Sequence, residues 1–263
     1  MLFDTHCHLD APEFDRDRPA VVAAARDAGV DRMLVPAVAI ANFAAVRSCC
    51  ERYAGCRPAY GIHPLYVGSS DEADLRALRR YLQAEIDGVL SPVAIGEIGL
   101  DFFEAAGNVD RQAHFMREQL RIAADFDLPV VLHVRRAVEA VLGQLRAIPV
   151  RGGIAHAFNG SREQAEHFIK LGFCLGFGGA MTYSGSTRIR RLAATLPIES
   201  IVLETDAPDI APAWLGGDSG RARNTPDQLL RIAAVLAELR EMPVADIIEA
   251  TARNACRCLY MTE

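Results

Sequence analysis

The chain alternates short apolar runs with longer amphipathic segments along its whole length. The apolar runs lie at 2–3, 32–37, 57–62, 92–100, 129–134, 152–158, 173–179 and 200–206. Runs this short, bounded by polar residues, are typical of buried strands. The segments between them repeat apolar residues at helical spacing, most clearly at 18–29, 71–86, 110–126, 161–172 and 225–240, and a last helix is expected at about 243–254.

Eight strands that alternate with helices within 263 residues predict parallel pairing through right-handed crossovers. The predicted fold is therefore an α/β protein, a (β/α)8 TIM barrel with an extra C-terminal helix. We expect a single domain over residues 1–263, because no repeat, low-complexity tract or linker divides the chain. A doubly wound open sheet is the alternative, but no Gly-x-Gly-x-x-Gly fingerprint opens a helix after the first strand.

Composition narrows the partners that the protein can have. The net charge of -6 excludes a basic nucleic-acid clamp, although metal ions and a few arginines could still hold a phosphate. No apolar stretch reaches the roughly 18 residues of a membrane span, and the first residues do not resemble a signal peptide. We therefore expect a cytoplasmic protein without a membrane partner, present as a monomer or weak oligomer. The seven cysteines lack zinc-knuckle spacing and are expected to be reduced thiols.

Ionisable residues end or interrupt most of the apolar runs, and strand carboxyl ends form the catalytic face of such a barrel. They are His6, His8, His63, Glu97, His133, His156, Glu204 and Asp206. His6 and His8 are two apart on a strand and therefore point to the same side. Each residue alone has another explanation, such as a buried ion pair for Glu97 or a helix cap for Asp206. Their convergence on one face indicates a metal centre.

The number of candidate ligands indicates two ions rather than one. The ligands are His6, His8, Glu97, His133, His156 and Asp206, which exceed the needs of one tetrahedral ion with an open position. They suit two divalent ions about 3.5–4 Å apart that share a carboxylate. Lys170 is the only lysine, and it lies in a predicted helix rather than at a strand end. A modified lysine is therefore not placed to bridge the ions, and Glu97 is the candidate bridge. An imidazole-rich site favours Zn, Mn, Co or Ni over Mg, but the identity stays open, and no organic cofactor is expected.

Seven motifs carry a family resemblance, in order and almost from end to end. "DTHCHLD", "GIHP", "GEIGLD", "LPVVLHVR", "HAFNGS", "ETDAPD" and "RNTP" resemble the TatD-type metal-dependent deoxyribonucleases, and the variants "HVRRA" and "ETDAPD" look most like their YjjV branch. The resemblance implies that His6, His8, Glu97 and Asp206 bind one ion. Glu97 would bridge to a second ion held by His133 and His156. Asp206 would also act as the general base toward the metal-activated water, and Arg135 would lie near the substrate phosphate.

The implied function is phosphodiester hydrolysis, with DNA single strands or ends as substrate. Two alternatives remain: hydrolysis of an amide, ester or lactone with the same metals, and metal binding without catalysis. His63 is a candidate for substrate contact. The long segment 207–226 contains Trp214, Arg221 and Arg223, which could stack a base and contact phosphate, or could form a solvated loop. The chain departs from the common "HSRDA" of the family at Val134 and Arg136, and also at Asn159 and Thr225, none of which is a proposed ligand.

Overall fold

The computed structural model describes residues 1–104, 106–216 and 222–262, which form a barrel of eight parallel strands. The strands are β1 Leu2–Asp4, β2 Val30–Pro36, β3 Cys56–Tyr60, β4 Ala94–Asp101, β5 Val130–Arg135, β6 Gly153–Ala155, β7 Phe173–Phe177 and β8 Ile201–Leu203. Each strand pairs with the next along the chain. This order confirms the predicted TIM barrel and excludes the doubly wound sheet, in which the strand order reverses.

Helices follow the strands and form the outer layer. They are α1 Arg18–Asp27, α2 Phe43–Arg52, α3 Glu72–Glu85, α4 Val109–Asp125, α5 Val138–Ala147, α6 Arg162–Lys170, α7 Thr187–Thr195, α8 Leu229–Arg240 and α9 Val244–Cys258. Ser161 caps α6 through a reciprocal pair of hydrogen bonds with Gln164. The predicted helix at 225–240 begins later, because a 3-10 turn occupies Pro226–Gln228. Within the described part of the chain, no helix is both long and apolar enough to cross a bilayer.

The barrel closes where the segments that follow β1 and β8 run side by side. The amide of Asp206 donates to the carbonyl of His6 at 2.8 Å. The Asp4 carboxylate spans the same seam and accepts from the Thr205 amide at 2.9 Å and the Thr205 hydroxyl at 2.6 Å. These bonds place Asp206 next to His6 and His8, although about 200 residues separate them in sequence.

An apolar layer inside the barrel is closed from below by α9. Every strand contributes one side chain, and α9 with its end contributes the rest: Phe3, Leu34, Ala59, Ala94, Val131, Ile154, Cys174 and Val202, with Ala252, Ala255, Cys256, Cys258 and Leu259. The Asn254 side chain of α9 donates to the carbonyls of Ile198 and Ile201, at the amino end of β8. We call the apolar residues of this cluster, from Phe3 to Leu259, the floor layer. It lies beneath the carboxyl ends of the strands and supports them.

Candidate metal centre

Glu97 lies at the centre of five histidines, each from the end of a strand or the residues just after it. Its two carboxylate oxygens face different rings. Oε2 lies 3.1 Å from Nε2 of His6 and 3.5 Å from Nε2 of His8, whereas Oε1 lies 2.8 Å from Nε2 of His156, 2.9 Å from Nδ1 of His133 and 3.3 Å from Nε2 of His63. The carboxylate therefore divides the histidines into two groups, one on each oxygen.

Glu97 points into the barrel at an irregularity of β4. The register between β4 and β5 shifts between Ile95 and Ile98, and such a shift redirects side chains locally. Gly96 contacts β5 so closely that an added Cβ would lie 2.6 Å from Cβ of Val131. A larger residue at position 96 would therefore push the two strands apart. The glycine before Glu97 serves close strand packing rather than free space around the carboxylate.

The first side of the centre contains His6, His8 and Asp206. Asp206 Oδ1 lies 3.6 Å from Nε2 of His6 and 3.8 Å from Nε2 of His8. His8 Nδ1 lies 3.2 Å from the carbonyl oxygen of Pro36, which acts as acceptor and leaves Nε2 directed at Glu97 and Asp206. His6 and Glu97 are buried, and the Asp206 side chain is 13% exposed. This side opens toward solvent through His8 and Asp206.

The second side contains His63, His133 and His156. Nε2 of His133 lies 3.0 Å from Oδ2 of Asp101, while its Nδ1 faces Glu97. Asp101 is buried and accepts backbone hydrogen bonds at its other oxygen. A carboxylate on the far nitrogen of a histidine fixes the ring orientation and increases its strength as a ligand. Asp101 thus orients His133 toward Glu97.

The charge of Glu97 is coupled to the imidazoles around it. Burial opposes the charged form of Glu97, but the imidazoles of His156, His63 and His6 outweigh it and hold the pKa of this carboxyl well below its usual range. Burial also opposes the imidazolium of His8, yet its hydrogen bond with Glu97 raises the pKa of that ring to about 9. The Glu97 anion is stabilised by positive charge around it, which is what a divalent ion supplies.

Three sets of donor atoms lie close enough together to hold an ion. In each set the atoms are within 4.8 Å of one another, and the sets are His6, His8 and Glu97; His6, His156 and Asp206; and His63, Glu97 and His133. Nδ1 of His156 also lacks a hydrogen-bond partner in the described residues. Imidazole and carboxylate together suit Zn, Mn, Co or Ni. The residues present therefore fit a divalent metal centre, and these three sets contain all six candidate ligands together with His63.

Two acidic residues near the centre were not among the candidate ligands. Asp101 lies four residues after Glu97 on β4, and this even spacing along a strand is the signal that indicates it. Glu204 is buried two residues before Asp206, and burial raises the pKa of its carboxyl to about 8. Its Oε1 accepts from the amide of Ala157 at 2.6 Å and lies 3.8 Å from Nδ1 of His156.

The predicted substrate residues occupy three different settings. His63 belongs to the cluster itself, and Arg135 lies at its edge, 3.9 Å from Asp101. Arg223 is engaged elsewhere: its guanidinium donates to both carboxylate oxygens of Asp17 at 2.8 and 2.6 Å. Substrate contact by Arg223 stays a prediction.

The long segment after Asp206 is described only in part. The Trp214 ring is partly buried against the core, and its Nε1 donates to Gln228 at 2.7 Å. Arg231 lies over this ring at 4.1 Å. These contacts explain the position of the tryptophan without a bound base. Arg221, the other candidate in this segment, lies outside the described residues.

Comparisons with known proteins identify relatives that are metal-dependent hydrolases. A family model described as TatD related DNase matches residues 3–260. The chain is 40% identical over 254 residues to the uncharacterized metal-dependent hydrolase YjjV of Escherichia coli K12, across 96% of this chain and 95% of that protein. It is 33% identical to the 3'-5' ssDNA/RNA exonuclease TatD of Cronobacter turicensis, across 97% of each.

A solved structure extends the agreement to the fold. The crystal structure of Escherichia coli YjjV superposes with a TM-score of 0.92 at 38% identity, over 99% of this chain and 98% of that one. The resemblance expected from the motifs is thereby confirmed, as is the predicted class of enzyme. The chain belongs to the TatD-related DNase family of metal-dependent hydrolases.

Proposed function

We propose that this protein hydrolyses the phosphodiester bonds of single-stranded nucleic acid, DNA first, with two divalent ions. The observation that carries the proposal is the division of the histidines by Glu97, whose Oε2 faces His6 and His8 and whose Oε1 faces His133 and His156. A bridging carboxylate needs this arrangement, in which each of its two oxygens faces a separate group of ligands. The name of the relative TatD, a 3'-5' ssDNA/RNA exonuclease, supports the choice of substrate.

The residues have separate roles in this proposal. His6, His8 and Asp206 would hold one ion, His133 and His156 the other, and Glu97 would bridge them. Bound divalent ions bring the pKa of a coordinated water near 7 and neutralise charge on the phosphoryl oxygens. Asp206 would accept the proton of that water, and burial raises the pKa of its carboxyl in the direction that suits a general base.

The substrate strand would be held at the rim of the cluster. The exposed guanidinium of Arg135 could pair with a phosphate at the edge of the centre. His63, buried in the cluster, would either contact the scissile phosphate or assist in holding the second ion. Arg223 could contact the strand farther from the centre if its pair with Asp17 rearranged. The acidic net charge makes weak binding of long duplexes the expectation.

The proposal is tested by metal analysis of the purified protein together with degradation of end-labelled single-stranded DNA. We expect about two ions per chain and metal-dependent degradation. Asp206→Asn should abolish the activity and keep the fold, whereas Asp209→Asn, the same change on an exposed carboxylate three residues later, should retain activity.

Two results would contradict different parts of the proposal. If titration with Zn, Mn, Co, Ni and Mg finds no bound ion, there is no metal centre. If a metal-loaded protein ignores DNA and RNA but cleaves members of an ester, lactone or amide panel, the metal centre stands and the nuclease activity is wrong.

A further inference from the structure

An exposed phenylalanine follows β4, the strand that contains Glu97 and Asp101. The Phe103 side chain follows β4 and is 43% exposed, and it belongs to none of the hydrophobic core clusters. The guanidinium carbons of Arg135 and Arg136 lie 4.1 and 4.3 Å from the centre of its ring. We call these three residues the platform. Its aromatic ring lies outside the hydrophobic core, and two cations lie within stacking distance of it.

The two arginines of the platform differ in how their charge is balanced. Arg135 donates to Glu104 at 3.2 Å and also lies 3.9 Å from Asp101. Arg136 is exposed and makes no ion pair with any residue that the structure describes. It also has a φ of 56°, in the left-handed region that residues other than glycine rarely adopt. One positive charge is thus available to a ligand, on a backbone conformation often retained at functional positions.

The platform is connected directly to the proposed metal ligands. The amide of Phe103 donates to Oδ1 of Asp101 at 2.8 Å, and Oδ2 of Asp101 lies 3.0 Å from His133. The Phe103 ring therefore belongs to the loop that Asp101 anchors beside the second side of the cluster. A nucleotide whose phosphate lay at the centre would have its neighbour within reach of the ring.

We propose that Phe103, Arg135 and Arg136 form a base-stacking subsite for the nucleotide next to the scissile phosphodiester, an inference that rests on the proposed function. Every base has a π face, so stacking on Phe103 and on guanidinium planes accepts any sequence. A base can stack there only when it is not enclosed in a duplex. Arg136 would pair with the phosphate of the same nucleotide. The subsite thus selects single strands, and its strength depends on a base being present.

Phe103 is tested with paired substrates and conservative variants. Binding of a fluorescent phosphorothioate oligonucleotide and cleavage of its phosphodiester counterpart are measured, each with and without an abasic residue next to the terminal linkage. We expect Phe103→Leu to weaken binding and raise KM by about tenfold on the normal strand, because stacking is lost, and Phe103→Tyr to restore both. On the abasic strand, Phe103→Leu and Phe103→Tyr should have the same binding affinity and the same KM.

Arg136 is tested through salt dependence, with Arg151 as the matched control. Arg151 also lies over an aromatic ring, 3.6 Å from the centre of Tyr260, but it precedes β6 at the amino end of the barrel. We expect Arg136→Gln to reduce the slope of log Kd against log salt concentration by about 0.7, the value for one phosphate contact on a single strand. Arg151→Gln should leave the slope unchanged.

The possible outcomes separate the subsite from the proposed function. Cleavage of single strands with wild-type KM by Phe103→Leu, or an equal loss on normal and abasic strands, would overturn the subsite and leave the nuclease activity standing. Base-dependent binding without any cleavage would support the subsite and contradict the hydrolysis. A wild-type protein that binds no oligonucleotide would overturn both.

Discussion

Two successive layers of side chains inside the barrel have opposite chemistry, although the same strands provide them. Val131, Ile154 and Val202 belong to the apolar floor layer. Two residues farther along the same strands lie His133, His156 and Glu204, in or beside the metal cluster. Side chains two apart on a strand point to the same side, so each pair differs only in height within the barrel.

The comparison shows what each layer contributes. The floor layer removes apolar surface from water and stabilises the fold by about 25 cal/mol for each Å² buried. In the layer above, buried carboxylates such as Glu204 lose hydration that costs several kcal/mol per ion, and the nearby imidazole of His156 only partly offsets this. The upper layer therefore serves chemistry, and the lower layer stabilises the strands that position it.

The largest expected effect comes from neutralising the centre of the upper layer. Glu97→Gln keeps the shape of the side chain but removes the charge that faces both groups of histidines. We expect hydrolysis to fall by about 1,000-fold or more, because the proposed two-ion catalysis needs Glu97 as the bridge. Metal analysis and circular dichroism check this: ion content should fall while the spectrum stays native. A variant that retained two ions would show that another residue bridges them.

An apolar truncation in the floor layer should lower the stability of the fold and leave the metal content unchanged. Ile154→Ala is expected to lower the free energy of unfolding by about 2–5 kcal/mol, because the fully buried side chain leaves a cavity. Metal content of the folded protein should be unchanged. His156→Ala, two residues later on the same strand, should instead lose an ion. Denaturant unfolding and metal analysis of both variants check the contrast, and equal metal loss would mean that the layers are not separable.

Sequence alone predicts the barrel and the cluster of six candidate metal ligands, because each candidate ends or interrupts an apolar run and parallel strands bring such ends to one face. The pairing of Asp101 with His133 is not evident, since it depends on the shifted register of β4. The contact of Arg135 and Arg136 with Phe103 depends on rotamers and on a loop path. Residue spacing places Asp101 on the same side of β4 as Glu97, but it contains no information on strand register, rotamers or loop path.

A smaller effect is expected on the stability of the folded protein when metal binds to the upper layer. Because folded ligand sets bind an ion that the unfolded chain does not, metal at 100 times its Kd should stabilise the protein by about 2.7 kcal/mol. Thermal unfolding with Mn²⁺ or Zn²⁺ against a chelator measures the shift. Ile154→Ala should show the same shift as the wild type, and Glu97→Gln should show much less. An identical shift in Glu97→Gln would place the stabilising ion away from the upper layer.

The smallest effect expected concerns Asp101, a carboxylate that contacts the proposed ligand His133. Asp101→Asn removes the charged partner of His133 Nε2 but keeps a side chain of the same size. We expect metal affinity or activity to fall by about 10- to 100-fold, because an amide orients the ring less firmly and increases its ligand strength less. Asp127→Asn is the matched control, since that exposed carboxylate pairs with Arg151 at the amino end of the barrel and should change neither quantity. Calorimetric metal titration of both variants decides the matter: equal affinities would mean that the register of β4 alone orients His133, and that the upper layer does not extend to Asp101.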